Sequence, residues 1–179
     1  MEAGREGRAV VWGDTYHLAI GQGDFLTTPL QMAVATAVIA NGGKRITPYV
    51  VASADGLGAQ ELQHPPPTDM EDLNPYALSV VRQGMRQTVT QGSARSLSTL
   101  PQAVAGKTGT AQTPGNRPYH SWFTGFAPYD DPSIALVVLV EEGGESNDAA
   151  VPLARHILDW WFLYGDACAI LIDNACKHP

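Results

Sequence analysis

Along residues 27–43, TTPLQMAVATAVIANGG, apolar side chains recur at 30, 33, 34, 37 and 38. That is the spacing of one helical face. The ends carry matching signals: Thr28 can cap, Pro29 suits the first helical position, and Gln31 completes a capping box. Asn41-Gly42-Gly43 closes the helix, because glycine accepts a left-handed cap. A second helix is predicted from Pro75 to about Gln91, opened by Asn74 and stopped near Gly92, with Leu78, Val81, Met85 and Val89 as its buried stripe. Gly84 in its middle costs about 1 kcal/mol relative to alanine, a cost that close packing against another backbone would explain. A third helix runs from about Ala149 to Tyr164, with Asp148 as its N-cap. Its buried side is marked by Leu153, Ile157, Trp160, Trp161 and Tyr164. Pro152 falls in its tolerant first turn and Gly165 can stop it.

The strand signals differ in period. Residues 44–74 read as extended chain and loop, with a short strand possible in ITPYVVAS and a proline-rich acidic connection after it. Three strands follow: AVAGKTGTAQT, YHSWFTGFAP and IALVVLVEE, separated by the turn signals TPGNRP and Tyr129-Asp130-Asp131-Pro132. Short turns make neighbouring strands antiparallel. The unbroken apolar run of the third strand requires cover on both its faces. The predicted fold is therefore α/β of the α+β type, an antiparallel sheet with helices on both faces. No internal repeat is present.

Composition narrows the function classes. The chain has 179 residues, 44% hydrophobic and 16% charged, with a net charge of −7. One domain with a sizeable core fits that length. The negative charge, with no basic cluster against it, argues against nucleic acid and against an anionic membrane surface. The longest apolar run, Ile134 to Val140, is too short to span a bilayer, and MEAGREGRAVVWGD holds no signal-peptide core. Only Cys168 and Cys176 are present, at a spacing that is neither a disulfide framework nor a metal motif. No metal and no cofactor are expected.

The candidate chemistry lies in AGKTGTAQ, residues 105–112, where one lysine is followed by Thr108, Thr110 and Gln112. Strand alternation puts 108, 110 and 112 on one face and 107, 109 and 111 on the other. A ligand at the strand edge would meet the hydroxyls of Thr108 and Thr110, with Lys107 adding positive charge from behind. That suits a carboxylate. Gly106 and Gly109 would let a ligand approach the backbone. From the tripeptide alone, an ordinary strand with a solvated lysine is the better account.

Further segments shift the balance. The stretch resembles the Lys-Thr-Gly motif of penicillin-binding proteins and serine β-lactamases. AIGQGDFLTTPLQMAVATAVIANGGKRITP resembles the segment before that motif in class B penicillin-binding proteins, and HSWFTGFAPYDDPSIALVVLVEEGG resembles the strand pair after it. AGKTGTAQ with HSWFTGFAP is more similar to the elongation-type transpeptidases than to β-lactamases. The resemblance implies the C-terminal part of a transpeptidase domain over residues 1–164, with a partial penicillin-binding protein/β-lactamase-like fold, and a tail of unassigned role over 165–179. It implies cross-linking of peptidoglycan stem peptides by serine acyl transfer, acylation by β-lactams, and a parent protein on the extracytoplasmic face of the bacterial cytoplasmic membrane. By the same resemblance, Lys107 would support electrostatics and proton traffic at the nucleophile. Thr108 and Thr110 would bind the substrate carboxylate, the Thr110 N–H would be an oxyanion-hole donor, Gly109 would give clearance, and Gln112 would line the cleft. Losing one oxyanion donor costs about 3–4 kcal/mol.

Two motifs of the resembled family are missing from these 179 residues. The residues three before Lys44, Lys107 and Lys177 are Asn41, Val104 and Asn174, so Ser-x-x-Lys is absent, and no Ser-x-Asn occurs. Ser146-Asn147 are adjacent and follow the strands. Both motifs precede the matched segment in the family, so a truncation is expected, with the chain alone inactive and forming no covalent penicillin adduct. The apolar third strand should then expose an edge, which invites self-association or capture of the tail. A β-lactam sensor, a non-catalytic relative, or an unrelated sheet-edge interaction module remain the alternatives. His120 reads as a structural or cleft-lining histidine. His17, His64, His156 and His178 have no partner pattern. One of Trp122 and Phe123 should face the core. Glu141, Glu142, Glu145 and Asp148 read as a solvated loop.

Overall fold

Capping residues set the helix starts. A computed structural model of the chain describes residues 11–23, 26–50, 65–113, 115 and 117–170. A short helix, α1 (Trp12–Ala19), precedes α2 (Pro29–Ala40). The Thr28 hydroxyl accepts from the Gln31 amide at 3.2 Å, and the Gln31 side chain accepts from the Thr28 amide at 2.8 Å, closing the capping box. Asn74 opens α3 (Pro75–Thr90), its side-chain oxygen 2.9 Å from the Tyr76 amide and 3.3 Å from that of Ala77. Both helices lie where the sequence places them. The strand considered in ITPYVVAS is not formed over residues 46–50, and 51–53 lie outside the described residues. Pro48 has no N–H to give a ladder there. Lys44–Arg45 (β1) pairs instead with Thr68–Asp69 (β2), antiparallel.

The main sheet holds β3 (Ala105–Ala111), β4 (His120–Ala127) and β5 (Ile134–Val140) in the order β3-β4-β5, antiparallel throughout. The last helix is α4 (Ala150–Ile170). Successive strand residues face opposite sides, so Phe123 and Phe126, both fully buried, feed two cores. Phe123 packs with Val138 against Ala150, Val151, Ala154 and Leu158 of α4. Phe126 packs with Ala105, Ala40 of α2 and Met85 of α3. Helices cover both faces, as the apolar run of β5 requires.

Arginines on α3 knit this second core together. The Arg82 guanidinium lies 4.8 Å from the Phe126 ring centre. It donates to the carbonyls of Ile39, Ala40 and Tyr129, satisfying carbonyls that the end of α2 leaves unpaired. Arg86 donates to the Val104 carbonyl at 2.8 Å.

Five expectations are corrected. The buried face of α4 is not the large one: Leu153, Ile157, Trp160 and Tyr164 are exposed, while Ala150, Val151, Ala154 and Leu158 are buried. Phe123 and Val138 pack against this face, and Ala150 and Ala154 let the helix come close to the sheet while Val151 and Leu158 fill the space beside them. Gly165 does not stop α4, which runs on to Ile170. A Cβ at Gly165 would come within 2.7 Å of the Trp161 indole, so this glycine makes room for that ring. Gly84 has nothing within 4 Å of where its Cβ would be, so no backbone packs there, and Val81 of α3 is exposed. The cap expected from Asp148 is supplied by other groups. The amide of Ala150 donates to Ser121 Oγ at 3.1 Å and that of Val151 to the Ser146 carbonyl at 2.9 Å.

Candidate functional site

β3 presents its two sides to different neighbours. Lys107 stands opposite Thr124, Gly109 opposite Trp122 and Ala111 opposite His120, on the face toward α2. Thr108 stands opposite Phe123 and Thr110 opposite Ser121, on the face toward α4. The alternation expected from the sequence is therefore present. β3 pairs only with β4, so its other edge carries no strand among the described residues.

A cleft of about 460 Å³ opens along that edge, reached by Lys107, Thr108, Gly109, Thr110 and Gln112. The far wall comes from Ile20–Gly23 after α1 and from Met32 of α2; its floor comes from His120, Trp122 and Thr124. A second groove of about 290 Å³, between α2 and the start of β5, is lined mainly by apolar side chains and brings no charged groups together.

The motif residues differ in how they are held. Lys107 is exposed and its Nζ donates to the Thr108 carbonyl at 2.5 Å. No carboxylate among the described residues pairs with it, which leaves its charge available to an anion. The Thr108 hydroxyl lies 2.6 Å from Ser93 Oγ. The Thr110 hydroxyl is 3.4 Å from both Glu145 Oε2 and Ser146 Oγ, contacts long enough to be given up to a ligand. Gly109 is tight against Trp122, whose Cβ lies 3.3 Å from where a glycine Cβ would be. Gly106 leaves room for no ligand: the Phe123 ring occupies the space its side chain would need. Gln112 is exposed at the cleft.

Several contributors were not singled out from the sequence. Gln22, in the Gly-Gln-Gly turn, donates from Nε2 to the Thr110 carbonyl at 3.3 Å. Gly21 and Gly23 flank it at φ 71° and 77°, the left-handed backbone that favours glycine. That double glycine was the available signal. Thr36 of α2 is buried, donates to the Met32 carbonyl at 2.7 Å and contacts the Thr124 hydroxyl. Its own proton is committed to Met32, so Thr124 is the donor in that contact.

The weighed aromatic and acidic residues sort cleanly. Phe123 is the core member of its pair and Trp122 the cleft member. His120 lines the cleft and also ties the β5–α4 loop, its Nδ1 accepting from the Glu142 amide at 3.1 Å. Glu142 pairs with Arg117 at 2.8 Å on the surface, worth at most about 1 kcal/mol. His156 Nδ1 sits 2.8 Å from the Pro152 carbonyl within its own helix. His64 and His178 lie outside the described residues.

A lysine and two threonine hydroxyls lie together at a strand edge that carries no partner among the described residues, on a three-stranded sheet with helices on both faces. The sequence profile of the penicillin binding protein transpeptidase domain matches residues 3–159, and the chain belongs to that family. Among individual relatives, the peptidoglycan D,D-transpeptidase MrdA of Haemophilus influenzae is 33% identical over 174 residues, covering 86% of this chain and 26% of that protein. PBP2 of Pseudomonas aeruginosa, solved in complex with WCK 5153, superposes with a TM-score of 0.74 at 35% identity, over 87% of this chain and 34% of that one. PBP2 of Helicobacter pylori, solved in complex with MreC, gives 0.73 at 32% identity, over 87% of this chain and 28% of that one. The chain thus spans about a quarter of the length of the curated relatives it matches. The family and the partial transpeptidase fold expected from the sequence are borne out.

Proposed function

We propose that this chain supplies one wall of the acyl-transfer cleft of a peptidoglycan D,D-transpeptidase. The observation that carries the reading is the open edge of β3, where Lys107 approaches the cleft from one face and Thr108 and Thr110 from the other. Thr108 and Thr110 bind the C-terminal carboxylate of a stem peptide or the carboxylate of a β-lactam. Lys107 supplies the positive charge and steadies proton traffic at an attacking serine. The Thr110 N–H is one oxyanion donor, Gly109 keeps the backbone approachable, and Gln112 lines the entrance. Resemblance to MrdA and PBP2 proteins supports peptidoglycan as the substrate class, and a parent protein acting on that substrate would work on the extracytoplasmic face of the cytoplasmic membrane. No helix among the described residues is long and apolar enough to cross a membrane.

The 179 residues contain no Ser-x-x-Lys, and losing the nucleophile of a concerted unit removes nearly all its chemistry. The chain alone therefore forms no covalent penicillin adduct. Incubation with a fluorescent penicillin should leave it unlabelled. Added to a polypeptide that carries Ser-x-x-Lys and Ser-x-Asn, it should promote labelling of that polypeptide's serine, and Lys107→Ala should abolish the promotion. A stoichiometric, acid-stable label on the chain itself, or promotion indifferent to Lys107, would overturn the reading. Among the described residues β5 pairs only with β4, and its other edge supports self-association of the isolated chain; a monomer at all concentrations in sedimentation equilibrium would rule that out.

A further inference from the structure

Ser146, in the loop between β5 and α4, has a buried hydroxyl with a defined job. The residue is 5% exposed, and its Oγ lies 2.6 Å from the Gly109 carbonyl oxygen. A carbonyl only accepts, so Ser146 donates its single proton there. Toward Thr110 Oγ1, 3.4 Å away, it can act only as acceptor. The loop is held from behind by Ser121, which is fully buried: its Oγ donates to the Glu145 carbonyl at 3.3 Å and accepts from the Ala150 amide at 3.1 Å. The chain of hydroxyls therefore runs from α4 and β4 to one carbonyl of the motif strand.

That carbonyl belongs to the same peptide unit as the Thr110 N–H. The unit is planar and trans, so its C=O and N–H point to opposite sides. Fixing one aims the other. In a strand, the N–H and C=O of one residue point the same way. The Thr110 carbonyl points to the cleft wall, where Gln22 donates to it. The Thr110 N–H points there too.

We infer that Ser146 is a positioning residue: the Gly109 carbonyl faces Trp122 of β4, and the Ser146 hydroxyl is a second donor on it that holds the Gly109–Thr110 peptide plane and keeps the Thr110 N–H aimed at the cleft edge, where a ligand oxyanion would bind. The inference deepens the proposed function and rests on it for the identity of the ligand, not for the geometry.

The isotopically labelled 179-residue chain tests both separately. Without ligand, Ser146→Ala should move the Gly109 carbonyl carbon shift and lower the order parameter of the Thr110 amide, leaving Lys107 unchanged. Ser146→Thr, which keeps the hydroxyl, should restore both. Ser146→Cys, a weaker donor of similar size, should fall between and serves if the alanine variant does not fold. Unaltered Gly109 and Thr110 signals in the alanine or cysteine variant would overturn the inference. Titration with acetyl-D-alanyl-D-alanine adds the second readout. Loss of one hydrogen bond's worth of preorganisation should weaken binding roughly tenfold, with the Thr110 amide shift on binding reduced. Wild-type affinity in Ser146→Ala counts against the inference. A wild-type chain that binds no dipeptide counts against the proposed function, and the ligand-free signals still decide the role of Ser146.

Discussion

The two faces of the β3–β4 pair come from alternate residues of the same strands, yet they are built to different standards. Toward α4 the space is filled. Phe123 is fully buried and lies so close over Gly106 and Gly125 that a Cβ at either would meet its ring within 3.0 Å. Toward α2 the front of the sheet is left open, and Lys107, Trp122 and Thr124 line a cleft. The Lys-Thr-Gly-Thr motif straddles this divide. Its lysine is on the open face. Its threonines share the parity of the packed face but lie at the rim, where their hydroxyls meet Ser93, Glu145 and Ser146. A substitution on one face should therefore register as stability, and on the other as binding.

The largest test of that contrast is Phe123→Ala. Deleting a buried phenylalanine costs about 3–5 kcal/mol through lost transfer energy and the cavity left behind. Urea denaturation followed by tryptophan fluorescence should show the midpoint falling steeply. A loss under about 1 kcal/mol, the level of a surface change, would mean that this face is not the packed one. Lys107→Ala is the complement. Its side chain is exposed, so the midpoint should stay in place, while affinity for a D-alanyl carboxylate should drop roughly thirtyfold, the worth of a charge-assisted hydrogen bond of about 2 kcal/mol. Unfolding by Lys107→Ala with affinity intact would erase the distinction between the faces.

What was legible in the sequence was what local chemistry decides. Thr28, Gln31 and Asn74 cap their helices within three residues of where they stand, and the structure places α2 and α3 accordingly. α4 shows the limit. It carries two apolar stripes, one with Leu153, Ile157, Trp160 and Tyr164, the other with Ala150, Ala154 and Leu158, and size alone favours the first. The choice is made by Phe123 and Val138 on the sheet, which pack against the second. The site divides the same way. Lys107, Thr108 and Thr110 could be read from one short motif on one strand. Ser146 reaches Gly109 across 37 residues and Gln22 reaches Thr110 across 88. No spacing rule links either pair, and Ser146 fits neither Ser-x-x-Lys nor Ser-x-Asn. Only the closing of the β5–α4 loop over β3 brings it into play.

The finest test lies on the rim, at Glu145. Its carboxylate oxygen is 3.4 Å from Thr110 Oγ1, within reach of the hydroxyl proton that a bound carboxylate would take. The residue is exposed, so water screens most of its field. Two unit charges about 4 Å apart interact by about 1 kcal/mol in water. Glu145→Gln removes that repulsion and keeps the shape, so affinity for an anionic dipeptide should rise about two- to fivefold. The gain should shrink with added salt and vanish for the same dipeptide as its uncharged amide. The denaturation midpoint should not move, because neither partner is buried. An equal gain for the amide would place the effect in packing rather than charge. It would return the rim to the packed face, and Thr110 with it.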